Sequence, residues 1–170
     1  DFALQIQPYA CTLVPEAREE RTTESGLAVV GREAKLQPLI ERLLQAGIYV
    51  SIFIDAVEGQ IAAAHSLGVH TVEIHTGAYA NAQKTADVEK EFTIVAKMAD
   101  YASQLGLTVN AGHGLHYRNT ERIAALPTIQ WIHTGHSIIA YAVMVGLERA
   151  VREMKDILQR SVRIQDKVLI

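Results

Sequence analysis

Three of the seven histidines fall in glycine-containing runs at the ends of predicted strands: His75-Thr76-Gly77, Gly112-His113-Gly114 and Gly135-His136. Histidine changes charge near neutral pH and is the common carrier of protons in catalysis. Glycine beside it lets backbone approach a ligand closely and exposes N–H groups to an anion. Carboxylates accompany them, with Asp55 closing Ser51-Ile52-Phe53-Ile54-Asp55 and Glu73 inside Val72-Glu73-Ile74-His75. Asn110 stands just ahead of the Gly112-His113-Gly114 turn. His113 is the sharpest acid–base candidate, although a loop histidine bonded to a carbonyl would look the same. Glu73 reads either as a working carboxylate or as half of an ion pair with Lys or Arg. Gly135-His136 reads as a phosphate cradle at a helix start, or as a plain tight turn. His65, His70, His116 and His133 are expected at the surface or in packing, and Cys11 as a small core hydrophobe.

The elements that must hold these groups follow from a signature repeated three times. Gln45-Ala46-Gly47-Ile48-Tyr49-Val50, Ser66-Leu67-Gly68-Val69-His70-Thr71-Val72 and Gln104-Leu105-Gly106-Leu107-Thr108-Val109 each end a helix on glycine and start a strand at once. Upstream lie apolar stripes at helical spacing: Leu36, Leu39, Ile40, Leu43 and Leu44, then Ile61, Ala64 and Leu67, then Val88, Phe92, Val95, Ala99 and Ala102. Strands are predicted over 9–14, 49–54, 71–75, 108–111 and 130–134. A long closing helix is predicted to carry Val143, Leu147, Val151, Met154 and Leu158 on one side, and residues 161–170 have no clear periodicity. The chain is expected to enter its first strand almost directly. Strict alternation of five strands with helices implies a parallel sheet covered by helices.

Barrel and open sheet are told apart by the strand faces. In 49–55, Val50, Ile52 and Ile54 share one face and Ser51, Phe53 and Asp55 the other; in 71–75, Val72 and Ile74 alternate with Thr71, Glu73 and His75. An open sheet with helices on both faces would give near-continuous apolar runs. A polar face with a carboxylate in mid-strand fits a barrel whose interior lines an active site. Asp55, Glu73, His75, Asn110, His113, Gly135 and His136 then fall at or near the C-terminal ends of strands, where barrel enzymes keep their chemistry. A complete eight-unit barrel typically needs ~250 residues. The 170 residues here fit about five units, read as one domain over 1–170.

Composition narrows the class. With 49% hydrophobic and 21% charged residues the chain is globular, and one cysteine rules out an intrachain disulfide framework. A net charge of −3 argues against a general nucleic-acid binder. No secretory signal is visible at the start, and the most apolar late stretch, 137–147, is about half the ~20 residues that span a bilayer. A cytoplasmic protein is expected, with neither membrane nor nucleic acid as partner. The polar run 15–31 exceeds the usual ~2–6 residues between strand and helix. It carries Arg18, Arg21, Thr22 and Thr23 and reads as a lid over the barrel mouth or as a surface insertion.

Taken together and in this order, several of these stretches resemble the pyridoxine 5′-phosphate synthase family. They are Leu13-Val14-Pro15-Glu16, Thr22-Thr23-Glu24, Ser51 to Asp55, Val72-Glu73-Ile74-His75-Thr76-Gly77, Val109-Asn110-Ala111-Gly112-His113-Gly114-Leu115 and Gly135-His136-Ser137-Ile138-Ile139. The resemblance runs from about residue 8 to residue 160 and implies an α/β fold, a TIM (β/α)8-type barrel. It implies condensation of 1-deoxy-D-xylulose 5-phosphate with 3-amino-2-oxopropyl phosphate to pyridoxine 5′-phosphate, phosphate and water. On this resemblance His113 is the proton donor and Glu73 the carboxylate that stabilises the transition state. Gly114 is a substrate contact, Gly135 and His136 hold the aminoketone phosphate, and Thr22 touches the deoxyxylulose phosphate. No cofactor or metal is implied, and the family suggests a homo-oligomer. The three opening strand–helix units of the family, with two of its acid–base groups, have no match here. The chain is therefore expected to be the C-terminal five-eighths of the enzyme and inactive alone.

Two rival readings stay open on sequence. Asp55, Glu73, His75, His113 and His136 could ligate a divalent ion in a sugar-phosphate isomerase. Alternatively, a partial barrel with two open strand edges could be a non-catalytic module that assembles with another chain.

Overall fold

The computed structural model of the protein describes residues 1–15 and 25–168, with 162–168 as helical backbone. Its elements run α1 (Phe2–Ile6), β1 (Ala10–Leu13), α2 (Glu33–Gln45), β2 (Tyr49–Ile54), α3 (Glu58–Ser66), β3 (Thr71–His75), α4 (Gly77–Asn81), α5 (Thr85–Gln104), β4 (Thr108–Gly112), α6 (Thr120–Ala124), β5 (Ile129–His133), α7 (His136–Val145) and α8 (Leu147–Val168). The five strands form one parallel sheet in the order β1-β2-β3-β4-β5. Sequential parallel strands joined by helices are the repeating unit of a β/α barrel, of which five are present here. The glycines of the repeated signature, Gly47, Gly68 and Gly106, have φ of 75°, 74° and 82°. A side chain resists that left-handed turn, which is why each helix can stop there and feed a strand at once.

The two faces of the sheet divide as the alternation predicts. Val50, Ile52, Ile54, Val72 and Ile74 are wholly buried beneath the helices. Ile40 and Leu43 of α2, Ile61 and Ala64 of α3, and Val95, Ala99 and Ala102 of α5 belong to the same core cluster. Fully burying one such aliphatic side chain contributes roughly 1.5–3 kcal/mol, so this layer holds the strands in register. On the opposite face Phe53, Glu73, Asn110 and Trp131 stand side by side across four strands. Ser51, Glu73 and Asn110 on that face are buried polar residues.

Several expectations are corrected. A short helix, α1, precedes the first strand, and a further one, α4, follows β3. The closing helix breaks at Gly146 into α7 and α8, and the anticipated stripe is not buried along its length. Val143, Leu147 and Val151 are exposed, while Met154 of the stripe is buried, as are Ala150 and Ile157 of α8. Residues 161–168, without periodicity in sequence, continue α8. The last strand starts and ends one residue earlier than predicted, with an irregularity between Val109 and Asn110 on β4, whose partners are Ile129 and Trp131. Cys11 is half-buried against the core. Of the run 15–31, residues 16–24 lie outside the described part, and Thr22 with them. Its far end is anchored, with the Leu27 N–H donating to the Phe53 carbonyl (2.7 Å).

Candidate functional site

At the C-terminal ends of the strands lies a pocket of about 970 Å³, lined among others by Asp55, His75, His113, His133, Gly135 and His136. Gly114 lines it too. Four of the six residues to which the family resemblance gives roles (His113, Gly114, Gly135 and His136) thus share one cavity. Glu73 does not line it but reaches its wall through another side chain. Thr22 falls outside the described residues.

The turn after β4 carries His113 in an uncommon backbone conformation. His113 has φ 77° and Gly114 φ 73°. A left-handed residue with a side chain costs roughly 1–3 kcal/mol and persists where surrounding contacts over-determine it. Here Thr76, wholly buried, supplies them. Its N–H donates to the Gly112 carbonyl (2.8 Å), and its hydroxyl lies 2.7 Å from both the Gly112 and His113 carbonyls. A methyl group on Gly114 would come within 2.6 Å of the Ala80 Cβ, so glycine is required there for space as well as for φ.

The turn after β5 is tied to the same loop. The Thr134 and Ser137 hydroxyls both donate to the Leu115 carbonyl at 2.8 Å. Gly135 caps α7 without a side-chain hydrogen bond, and nothing would crowd a Cβ there. The first amides of a ten-residue helix are left open at the pocket wall, beside His136. Open amides with the helix dipole behind them favour an anion.

Two carboxylate–imidazole pairs lie beneath these loops. Asp55 Oδ1 accepts from the Gly26 N–H (2.8 Å) and from His75 Nδ1 (2.9 Å). The His75 ring meets the His113 ring edge-on, with centroids 4.8 Å apart. Glu73 Oε2 accepts from His133 Nδ1 at 2.6 Å. That contact crosses β4, and it passes over Gly112, where a Cβ would collide with Glu73 Oε1. The hydrogen bond that His133 donates to Glu73 outweighs the cost of burial and raises the His133 pKa above its ordinary value. Three buried side-chain atoms have no hydrogen-bond partner among the described residues: Ser51 Oγ, Asn110 Oδ1 and His75 Nε2. All three belong to the inner face of the sheet.

This geometry commits the candidate metal ligands to partners within the protein. Asp55 is engaged with His75 and Glu73 with His133, and among the described residues no three His, Cys, Asp or Glu side chains are grouped to hold an ion. His133 is the residue sequence reading placed wrongly, since it pairs with Glu73 at the pocket wall rather than packing elsewhere. Its place at the strand end is not marked locally, because the predicted strand runs one residue further, to Thr134. His70 stacks against Tyr49 as a packing residue. His116 lines the pocket, but its Nδ1 accepts from the Arg118 N–H (3.2 Å) and its own N–H donates to Asn119 (2.7 Å).

Residues 1–160 match the model of the family described as pyridoxal phosphate biosynthesis protein PdxJ. A curated relative, the pyridoxine 5′-phosphate synthase of Alcanivorax borkumensis, is 52% identical over 157 residues, covering 92% of this chain and 64% of that protein. The chain therefore spans just under two thirds of the relative's length. None of the described helices is long and apolar enough to cross a membrane.

Proposed function

The chain belongs to the pyridoxal phosphate biosynthesis protein PdxJ family, and from that premise we propose that the protein carrying it is a pyridoxine 5′-phosphate synthase. Its substrates are 1-deoxy-D-xylulose 5-phosphate and 3-amino-2-oxopropyl phosphate, and its products are pyridoxine 5′-phosphate, phosphate and water. The observation that carries this reading is the convergence of His113, Gly114, Gly135 and His136 on one pocket at the strand ends.

Each group has work to do in such a condensation. His113 gives the proton that expulsion of water requires, from a turn whose strained backbone keeps it at the cavity. The open amides after Gly135, with His136, take the aminoketone phosphate. Gly114 offers close backbone approach, and Thr22 contacts the other phosphate. Glu73, buried below the wall, favours cationic character in the intermediates, and its bond to His133 fixes where that charge lies. Residues 1–170 act as a single domain contributing five strand–helix units to a barrel. The reaction is placed in the cytoplasm. A homo-oligomer is supported by the exposed apolar side chains of Ile139, Val143 and Met144 on α7.

The test is His113→Ala in the full-length protein. Product formation falls by roughly two to four orders of magnitude, the usual worth of a positioned acid. Binding of the aminoketone phosphate, followed by calorimetry, survives. Undiminished turnover removes His113 from the reaction.

A further inference from the structure

Beyond the residues assigned above, one side chain at the pocket is built to touch substrate. His75 lies at the end of β3 with its side chain only 9% exposed. Its Nδ1 is 2.9 Å from Asp55 Oδ1, and a carboxylate can only accept, so the hydrogen belongs on Nδ1. In the neutral ring that leaves the lone pair on Nε2. This atom is buried without a hydrogen-bond partner among the described residues, on a side chain that lines the pocket. Buried polar atoms are rarely left so, and each one calls for an explanation such as a catalytic or ligand-binding role.

The surroundings fix the ring and keep position 77 free of a side chain that would press on that atom. A Cβ at Gly77 would lie 2.5 Å from His75 Nε2 and 3.2 Å from His113 Cδ2, so the glycine leaves space where the two rings meet. Phe53 packs edge-on against the His75 ring from β2, with centroids 5.1 Å apart, and limits its rotation. Asp55 is itself held by the Gly26 N–H, which fixes the carboxylate that fixes the ring. A carboxylate that orients an imidazole and steadies its protonated form is the arrangement by which histidine becomes a general base.

We propose that His75 is a catalytic base of this pocket, its Nε2 accepting a hydrogen bond and then the proton from an amino or hydroxyl group of a phosphorylated substrate, with Asp55 as its positioning residue. In the step, the substrate N–H or O–H bond breaks and an Nε2–H bond forms. The electron pair stays on the substrate nitrogen or oxygen, which is freed to attack a carbonyl carbon. The imidazolium is stabilised by Asp55, and His113 beside it is placed to act as the acid. This rests on the synthase reading, in which an amine must condense with a carbonyl.

The experiment uses the full-length protein with both substrates. His75→Asn keeps an N–H donor near the Nδ1 position but has no proton acceptor in place of Nε2. It is expected to lose about 100- to 10,000-fold in kcat with KM changed far less and thermal unfolding unchanged. Asp55→Asn reverses the hydrogen bond and drives the ring to the other tautomer; it should lose kcat in the same direction. Wild-type kcat in His75→Asn overturns the proposal, as does a loss confined to KM. Nitrogen-15 NMR of the wild-type imidazoles supplies an arm independent of turnover. A neutral Nδ1–H tautomer whose Nε2 resonance shifts on adding 3-amino-2-oxopropyl phosphate supports the role. An Nε2–H tautomer, or no response, refutes it. Absence of turnover in the wild type would defeat the synthase reading instead, leaving the NMR result to decide on His75.

Discussion

Glu73 reaches His133 across an intervening strand only because position 112 carries no side chain. The resulting bond has a measurable signature in pH. The folded protein holds the His133 proton more tightly than the unfolded chain, whose histidines titrate near the ordinary 6.5. Below 6.5 both states are protonated and the contribution of the pair to stability is complete. As pH rises through the elevated value in the folded state, that contribution is lost. Urea denaturation of wild type and Glu73→Gln between about pH 5.5 and 8.5 should show the wild-type advantage shrinking toward the alkaline end. Parallel curves would mean that the pair does not titrate in this window. The effect is modest, because the imidazole is partly exposed and screened by solvent. None of this was legible from residue type. His113 and Gly135-His136 announce themselves by flanking glycines, whereas His133 follows Trp131-Ile132 as an ordinary strand residue. Its place opposite Gly112 depends on a register irregularity in β5 that no local pattern marks.

At the scale of elements, what repeats was readable and what occurs once was not. The helix–glycine–strand signature placed β2, β3 and β4 closely, because a left-handed stop and an apolar alternation act locally. The division between α7 and α8 escaped because Val143, Leu147 and Val151 keep perfect helical spacing across it. Periodicity reports which residues could share a face, and tertiary packing decides whether anything covers them. Gly146 makes the break, with φ 83° and ψ 151°, a region essentially closed to other residues, and nothing within 4 Å of where a Cβ would stand. Gly146→Ala therefore meets backbone strain and no clash. It is expected to destabilise the fold by about 1–3 kcal/mol, read from the urea midpoint at unchanged slope. A neutral result would show that α7 and α8 can realign without cost.

Over the whole molecule, among the described residues, β1 and β5 each pair on one side only, and the face running from Phe53 to Trp131 ends at an indole that is 66% exposed. Unpaired parallel edges with apolar surface beside them invite other strands. Produced alone, the 170-residue chain should sediment well above 18.7 kDa, with association reduced by charged substitution at Trp131. A monodisperse species at 18.7 kDa would show that the edges protect themselves. The barrel class itself could be read from the polar alternation of β2 and β3, which an open two-sided sheet would not tolerate. The carboxylate–histidine pairs add a constraint on how such a molecule can be recombined. Asp55 and His75 follow or end neighbouring strands, while Glu73 and His133 span from β3 to β5. Exchange of single strand–helix units between relatives would hand each hybrid half of a pair. Where the incoming unit lacks the matching residue, crossovers are expected to be tolerated on either side of the stretch from Asp55 to His133 and penalised within it.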